Sequence, residues 1–299
     1  MTDACVIEAT DLRKQYDGVD ALRGLTFQVP AGSIVGFLGR NGAGKTTTIK
    51  VLLGMARPTS GAARLFGQDV ATPAANLGAR RRIGFVSEEK ELYDYMTVDE
   101  IVRFTASFYP GWRRDLEEHY RRTFDLPGGR RIKALSRGTR TKLALLLALC
   151  RRAELLILDE PTSGLDPAVT EEVLRALVSH VAREQMTIFF SSHQIAEVEQ
   201  IADRVEIIDR GAIIVSGVLD EVRERYCRIQ LVFAHDVPAY TFRTPGVVRT
   251  RREGRVMTLV SSAGADAVLH EARALNPVSV SSLPITLKDI FLETVAIED

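Results

Sequence analysis

Apolar residues along the chain fall into short continuous runs separated by glycine and polar turns, with longer amphipathic stretches between them. Leu25 to Val29 (LTFQV) and Ile34 to Leu38 (IVGFL) read as strands joined by the turn residues PAGS. A glycine-rich stretch then leads into the helical pattern TTTIKVLLGM. From Thr97 the texture changes: TVDE spaces Thr97 and Glu100 as a capping box, which opens a largely helical stretch ending at Cys150. Strands return in LLILDE, TIFFSS and VEIIDRGAIIVSG, with a helix between the first two. Short buried runs alternating with helices predict a parallel α/β sheet carrying a helical insert over about residues 92–150. After about Asp220 the pattern weakens. CRIQLVFAH, GRVMTLVSS and VSVSS read as strands and ADAVLHEARAL as a helix, which predicts a main domain over residues 1–219 and a small α+β domain over 220–299.

Composition narrows the partners. With 299 residues, 45% of them hydrophobic and 26% charged, the chain can bury a sizeable core. Lys+Arg and Asp+Glu both number 39, so no overall field draws it to nucleic acid or to an acidic membrane, and any anion must be bound locally. Cys5, Cys150 and Cys227 lack the spacing of a metal site or a disulfide framework, which fits a reducing cytoplasm. The first residues are acidic and unlike a signal peptide. The longest wholly apolar run, Leu143 to Cys150, falls far short of the roughly 20 residues that span a bilayer.

The strongest chemical signal is GRNGAGKT: Gly39, Arg40, Asn41, Gly42, Ala43, Gly44, Lys45 and Thr46, followed by Thr47. It fits G-x-x-x-x-G-K-[ST] and sits after a strand and before a helix, where that pattern belongs. Glycines let successive N–H groups converge on phosphate oxygens, and the helix dipole adds positive potential at the same point. Lys45 is then expected on the β and γ phosphates and the Thr46 hydroxyl on Mg²⁺. The run LLILDE ends in Asp159 and Glu160, a carboxylate for the Mg²⁺ shell and one to polarise an attacking water.

In chain order Tyr16, GRNGAGKTT, IGFVSEEKELYDYMT, LSRGT, LLILDEPTSGLD and SSHQIAEVEQIADR cover roughly residues 4 to 217. Together they resemble the ATP-binding subunits of ABC transporters, most closely those that pair with separately encoded membrane exporters. The resemblance implies a P-loop ATPase core of α/β class with an antiparallel β subdomain, the helical insert, and a small C-terminal α+β accessory domain. It also implies ATP and Mg²⁺ as cofactors and a head-to-tail dimer, as a homodimer or with a related chain. A separate transmembrane permease would be the partner, and the location cytoplasmic, peripheral on the membrane. In such a dimer, Ser136 and Gly138 would face the γ-phosphate of ATP held by the other copy. Tyr16 would stack on adenine, His193 would hold the γ-phosphate, the water and Glu160 in line, and Asp166 would run along the dimer interface. Thr46, Asp159 and Glu88 are the implied metal ligands; Lys45, Glu160 and His193 are the implied catalytic set.

Three positions in two motifs depart from the family pattern. Glu88 stands where a Gln is usual, in the loop that senses the membrane partner; a carboxylate still accepts from a Mg²⁺-bound water. In the signature LSGGQ, Arg137 replaces the first Gly and Thr139 the Gln, while the hydroxyl and bare backbone of Ser136 and Gly138 remain. An active site is therefore expected, with Arg137 adding a cation near the facing nucleotide. Two other readings compete. A regulatory or nucleic-acid-associated ABC ATPase would draw on the arginines at 80–82 and in RTRREGR. A small-molecule kinase would have no need of DEPTSGLD. No nucleic acid is expected.

Overall fold

The computed structural model describes residues 4–262 and 265–295, and the chain divides into two compact units, up to Ile213 and from Ile214 onward. The first unit begins with two long strands, β1 (Cys5–Tyr16) and β2 (Val19–Pro30), followed by β3 (Ile34–Leu38) and α1 (Lys45–Leu52). Next come β4 (Ser60–Leu65), β5 (Gln68–Asp69), α2 (Pro73–Arg81) and β6 (Ile83–Val86). The helical stretch holds α3 (Val98–Ser107), α4 (Arg114–Thr123) and α5 (Arg137–Leu149). The alternation then resumes with β7 (Leu155–Leu158), α6 (Pro167–Glu184), β8 (Thr187–Ser192), α7 (Ile195–Ile201) and β9 (Arg204–Asp209).

Two sheets result. β2, β1, β4 and β5 pair in that order, all antiparallel. β9, β3, β8, β7 and β6 lie side by side and parallel. Every residue of β3, β7 and β8 is buried, as expected of parallel strands covered on both faces. The two sheets share one core: Phe27 of the antiparallel sheet lies 5.8 Å, ring to ring, from both Phe37 and Phe189 of the parallel one. Burying each such ring is worth roughly 1.5–3 kcal/mol.

Thr97 caps α3 as its spacing predicts. Its hydroxyl accepts from the Glu100 N–H at 3.2 Å, and the Glu100 carboxylate accepts from the Thr97 N–H at 2.8 Å. α5 is buried almost continuously from Leu143 to Leu149, so the greasy run in the sequence is internal packing. No helix among the described residues is long and apolar enough to cross a membrane.

The boundary between units falls within β10 (Ala212–Val218). The second unit continues with α8 (Leu219–Arg225), β11 (Cys227–Val232), β12 (Val247–Glu253), β13 (Val256–Ser261), α9 (Ala265–Arg273), β14 (Ser279–Pro284) and α10 (Leu287–Thr294). Its sheet runs β12-β13-β11-β14, antiparallel throughout, over a core that includes Ile229, Leu231, Met257, Leu259 and Val268. The basic run RTRREGR is largely strand β12. Its Arg249 and Arg251 reach the Glu293 carboxylate at 3.4 and 3.0 Å, which offsets part of the patch. Arg82, in the other cluster, pairs with Glu154 at 2.6 Å and stacks on Phe66.

In the helical stretch, the Tyr120 hydroxyl lies 2.9 Å from His180 Nδ1, and burial lowers the imidazole to about 4. An unfolded His takes its proton near 6.5, so between about 6.5 and 4 the unfolded chain binds more protons than the folded one. The stabilisation this neutral imidazole gives is complete above that window and disappears as pH falls through it. The melting temperature of the chain is therefore expected to drop between about pH 6.5 and 4. His180→Gln, which keeps a partner for Tyr120, should flatten that part of a calorimetric pH series.

Candidate active site

A parallel sheet opens the carboxyl ends of its strands on one side, and here the order puts β3, β8 and β7 next to one another. Leu38 is level with Ser192, and Leu158 with Phe190. The loop Gly39–Thr46, the pair Asp159–Glu160 and the segment Ser191–His193 therefore leave the sheet together.

The loop's glycines answer to specific demands. Gly42 and Gly44 have φ of +80° and +110°, a backbone that side chains disfavour. A Cβ at Gly44 would come within 2.9 Å of the Ala21 carbonyl oxygen, whereas at Gly42 nothing stands within 4 Å. Gly44 caps α1 with no side-chain hydrogen bond, so the first N–H groups of α1 have no side-chain acceptor at the cap. That end faces a cleft of about 330 Å³ lined by Asn41, Gly42, Gly44, Thr46 and Thr47, with Lys45, Glu88 and Glu160. Free amide donors, open space over a glycine and a lysine suit a polyphosphate.

Lys45 is 5% exposed; its ammonium donates to the Gly39 and Arg40 carbonyls at 2.7 and 3.2 Å and lies 3.1 Å from Glu160 Oε1. Ala43 is buried beneath the loop and donates its N–H to Arg40 O at 3.1 Å. The second carboxylate oxygen of Glu160 is 2.8 Å from His193 Nδ1. A lysine and a histidine thus hold the two oxygens of one buried carboxylate, and the half-exposed His193 links it to solvent. Glu160 also has φ of +46°, a left-handed backbone at a residue with a side chain.

Ser191 joins this carboxylate to its neighbour. Its hydroxyl donates to Asp159 Oδ1 at 2.7 Å and accepts from the Glu160 N–H at 2.9 Å. Thr46, Glu88 and Asp159 line an adjoining cleft of about 580 Å³. Among the described residues no three His, Cys, Asp or Glu converge as a metal-binding group. Hard oxygen donors of this kind suit a cation that shares its shell with phosphate and water, as Mg²⁺ does.

Lys90, from the loop after β6, is buried and donates from its ammonium to the Glu160 main-chain carbonyl at 3.0 Å. Burial first, and then Arg137, lower it to about 8 against the pull of Glu88, Asp159 and Glu160. Neither Lys90 nor Ser191 stands out in the sequence: a serine ending a buried strand carries no pattern, and a lysine within SEEKE reads as a solvated charge.

Tyr16, Ser136, Gly138 and Asp166, all expected at a nucleotide site, line neither cleft. Tyr16 ends β1 with its ring 43% exposed and the Lys14 ammonium 4.6 Å over one face. The Ser136 hydroxyl accepts from the Thr139 N–H at 3.1 Å and so caps α5. A Cβ at Gly138 would lie 3.1 Å from Val169, which marks a close approach to α6. Asp166 caps α6 through the Ala168 and Val169 N–H groups. The Arg137 guanidinium lies against Gly164 of this same chain, where a Cβ would come within 2.5 Å of Arg137 Cζ.

The protein family described as ABC transporter matches residues 22–163. The bacitracin transport ATP-binding protein BcrA of Bacillus licheniformis is 36% identical over 231 residues, covering 76% of this chain and 75% of its own. The ABC transporter ATP-binding protein YtrB of Bacillus subtilis is 26% identical over 287 residues, 96% of this chain and 97% of its own. Among solved structures, an ATP-binding subunit of an ABC transporter superposes with TM-score 0.66 at 29% identity, over 73% of this chain and 92% of that one.

Ser191→Ala removes the acceptor of a buried N–H and the donor to a buried carboxylate. A loss of about 1–3 kcal/mol in unfolding free energy is expected in urea titration, with fluorescent-nucleotide binding little changed.

Proposed function

The chain belongs to the ATP-binding proteins of ABC transporters, and from that membership we propose how its residues cleave ATP and what the cleavage drives. It is an ATPase. The observation that carries the assignment of roles is the Glu160 carboxylate, buried between Lys45 and His193 at the ends of adjacent strands. Lys45 neutralises the β and γ phosphates against the free amides of the loop. Glu160 orients a water toward the γ-phosphate and accepts its proton, while His193 fixes the direction of that carboxylate. Thr46, Asp159 and Glu88 would hold Mg²⁺, which when bound offsets the phosphate charge. Tyr16 stacks on adenine with the ring face opposite Lys14.

Ser136, Gly138 and Asp166 fall away from the chain's own cleft, which supports a head-to-tail pair. The start of α5 would then complete the partner copy's nucleotide site. A homodimer suffices for this, since one chain carries both halves; a related second chain would serve equally. Residues 220–299 form an accessory domain.

A surface beside the site supports coupling to a transport partner. The 580 Å³ cleft has apolar walls that include Met55, Phe85, Leu92 and Leu147, and it is bordered by Glu88 to Glu91. On α3, at its C-terminal cap and in the loop before it, exposed Tyr93, Tyr95, Phe104 and Phe108 form a chain of ring contacts 5.0–5.8 Å apart. Exposed aromatics next to an apolar cleft mark a docking surface. We assign it to a separate membrane permease through which the ATPase drives export. The pairing of Arg249 and Arg251 with Glu293 speaks against the nucleic-acid reading.

Glu160→Gln keeps the shape of the site and removes the base. ATP hydrolysis is expected to fall about 100-fold or more while ATP binding persists and a closed dimer accumulates on size-exclusion chromatography. Turnover at the parental rate would sink the assignment.

A further inference from the structure

Glu160 is held in a left-handed backbone, φ +46°, at the point where its side chain must be aimed. Such a conformation costs energy at a non-glycine residue and persists only where its surroundings impose it. Both of its main-chain polar groups are engaged. The N–H donates to the Ser191 hydroxyl at 2.9 Å; the carbonyl accepts from the Ser163 N–H at 3.2 Å and from the Lys90 ammonium at 3.0 Å.

The Lys90 contact is the unusual one. Lys90 is 4% exposed and sits in a loop with Glu88, Glu89 and Glu91, any of which would keep a lysine paired at the surface. Burying an ammonium is expensive unless it is well bonded, yet this one turns inward to a neutral carbonyl seventy residues away. Its own backbone is left-handed as well, with φ of +47° and its N–H on the Ser87 carbonyl at 3.3 Å. Local strain and burial are thus both spent on one contact. That contact ties the loop bearing Glu88 to the peptide that carries the base.

We propose that Lys90 is a positioning residue for ATP cleavage: its ammonium, bonded to the Glu160 main-chain oxygen, holds the backbone that aims the Glu160 carboxylate. The proposal rests on Glu160 being the base. Movement of the Ser87–Glu91 loop, which borders the aromatic docking surface, therefore changes the aim of Glu160 directly.

The test uses the purified full chain in steady-state and single-turnover ATP hydrolysis. Lys90→Met keeps the length of the side chain without the donor and is expected to lower kcat about 10- to 100-fold with KM for ATP within about twofold. Lys90→Arg, which keeps a donor, is expected to recover activity to within about threefold of the parent. In a Glu160→Gln background, Lys90→Met should add less than about twofold, because the group it aims is gone. Lys90→Gln carries the same test if the Met variant does not fold. Parental kcat in Lys90→Met beside an inactive Glu160→Gln overturns the role of Lys90 alone. Losses that multiply in the double variant also overturn it. Parental turnover in Glu160→Gln overturns the assignment of the base and this proposal with it.

Discussion

The site depends on a buried carboxylate shared between two strand ends. Lys45 opens the helix that follows β3, Glu160 and His193 sit in the turns after β7 and β8, and the three meet because those strands are neighbours in the sheet. Stability is a poor reason for such a pair. Taking an ammonium and a carboxylate out of water costs several kcal/mol per ion, and their attraction returns little beyond that. The arrangement makes better sense as competition. Phosphate oxygens arriving at the loop contend with Glu160 for the Lys45 ammonium, and each contact they win leaves the carboxylate to water and His193. On the proposed roles, substrate binding and availability of the base would become one event.

Around this centre the chain uses uncharged groups as spacers. Ser191 has one proton to give and spends it on Asp159, so the lone pair it turns to the Glu160 N–H is fixed in direction. The carboxylate assigned to the metal and the carboxylate assigned to the water are thereby kept at a set separation. Lys90 holds the next peptide, through the Glu160 carbonyl. Between them these two residues hold the backbone of Glu160 from both ends, while its side chain is held by Lys45 and His193.

Some of this was legible in the residues and some was not, for physical reasons. GRNGAGKT shows itself because positive φ and close backbone approach demand glycine at set intervals. Asp159 and Glu160 show themselves because two acids end an apolar run. His193 was visible only through the likeness to a family, since one histidine after a strand has no spacing to betray it. Lys90 was hidden by its acidic neighbours, whose charges suggest solvent. β12 was hidden because VVRTRRE reads as a charge cluster; it is an edge strand, where arginines can line a face and find Glu293 on α10. Arg137 was expected near a facing nucleotide, yet its guanidinium lies on Gly164 of its own chain, a contact that depends on how α5 and the turn before α6 approach each other.

The clustering of Arg228, Arg249 and Arg251 around Glu293 has a bearing on how the molecule is seen from a distance. Equal totals of acid and base can arise from separated blocks, which would give the chain a large dipole, or from pairing at close range, which cancels within a few ångströms. Pairing at close range supplies part of the balance here: Arg228 also reaches Asp289, and Arg82 pairs with Glu154 and Arg113 with Glu184. At physiological salt the Debye length is about 8 Å. Fields cancelled at that scale neither hasten an encounter nor orient it. Such pairs leave recognition of a partner to contact, by shape and apolar surface, and to the charges that stand outside them.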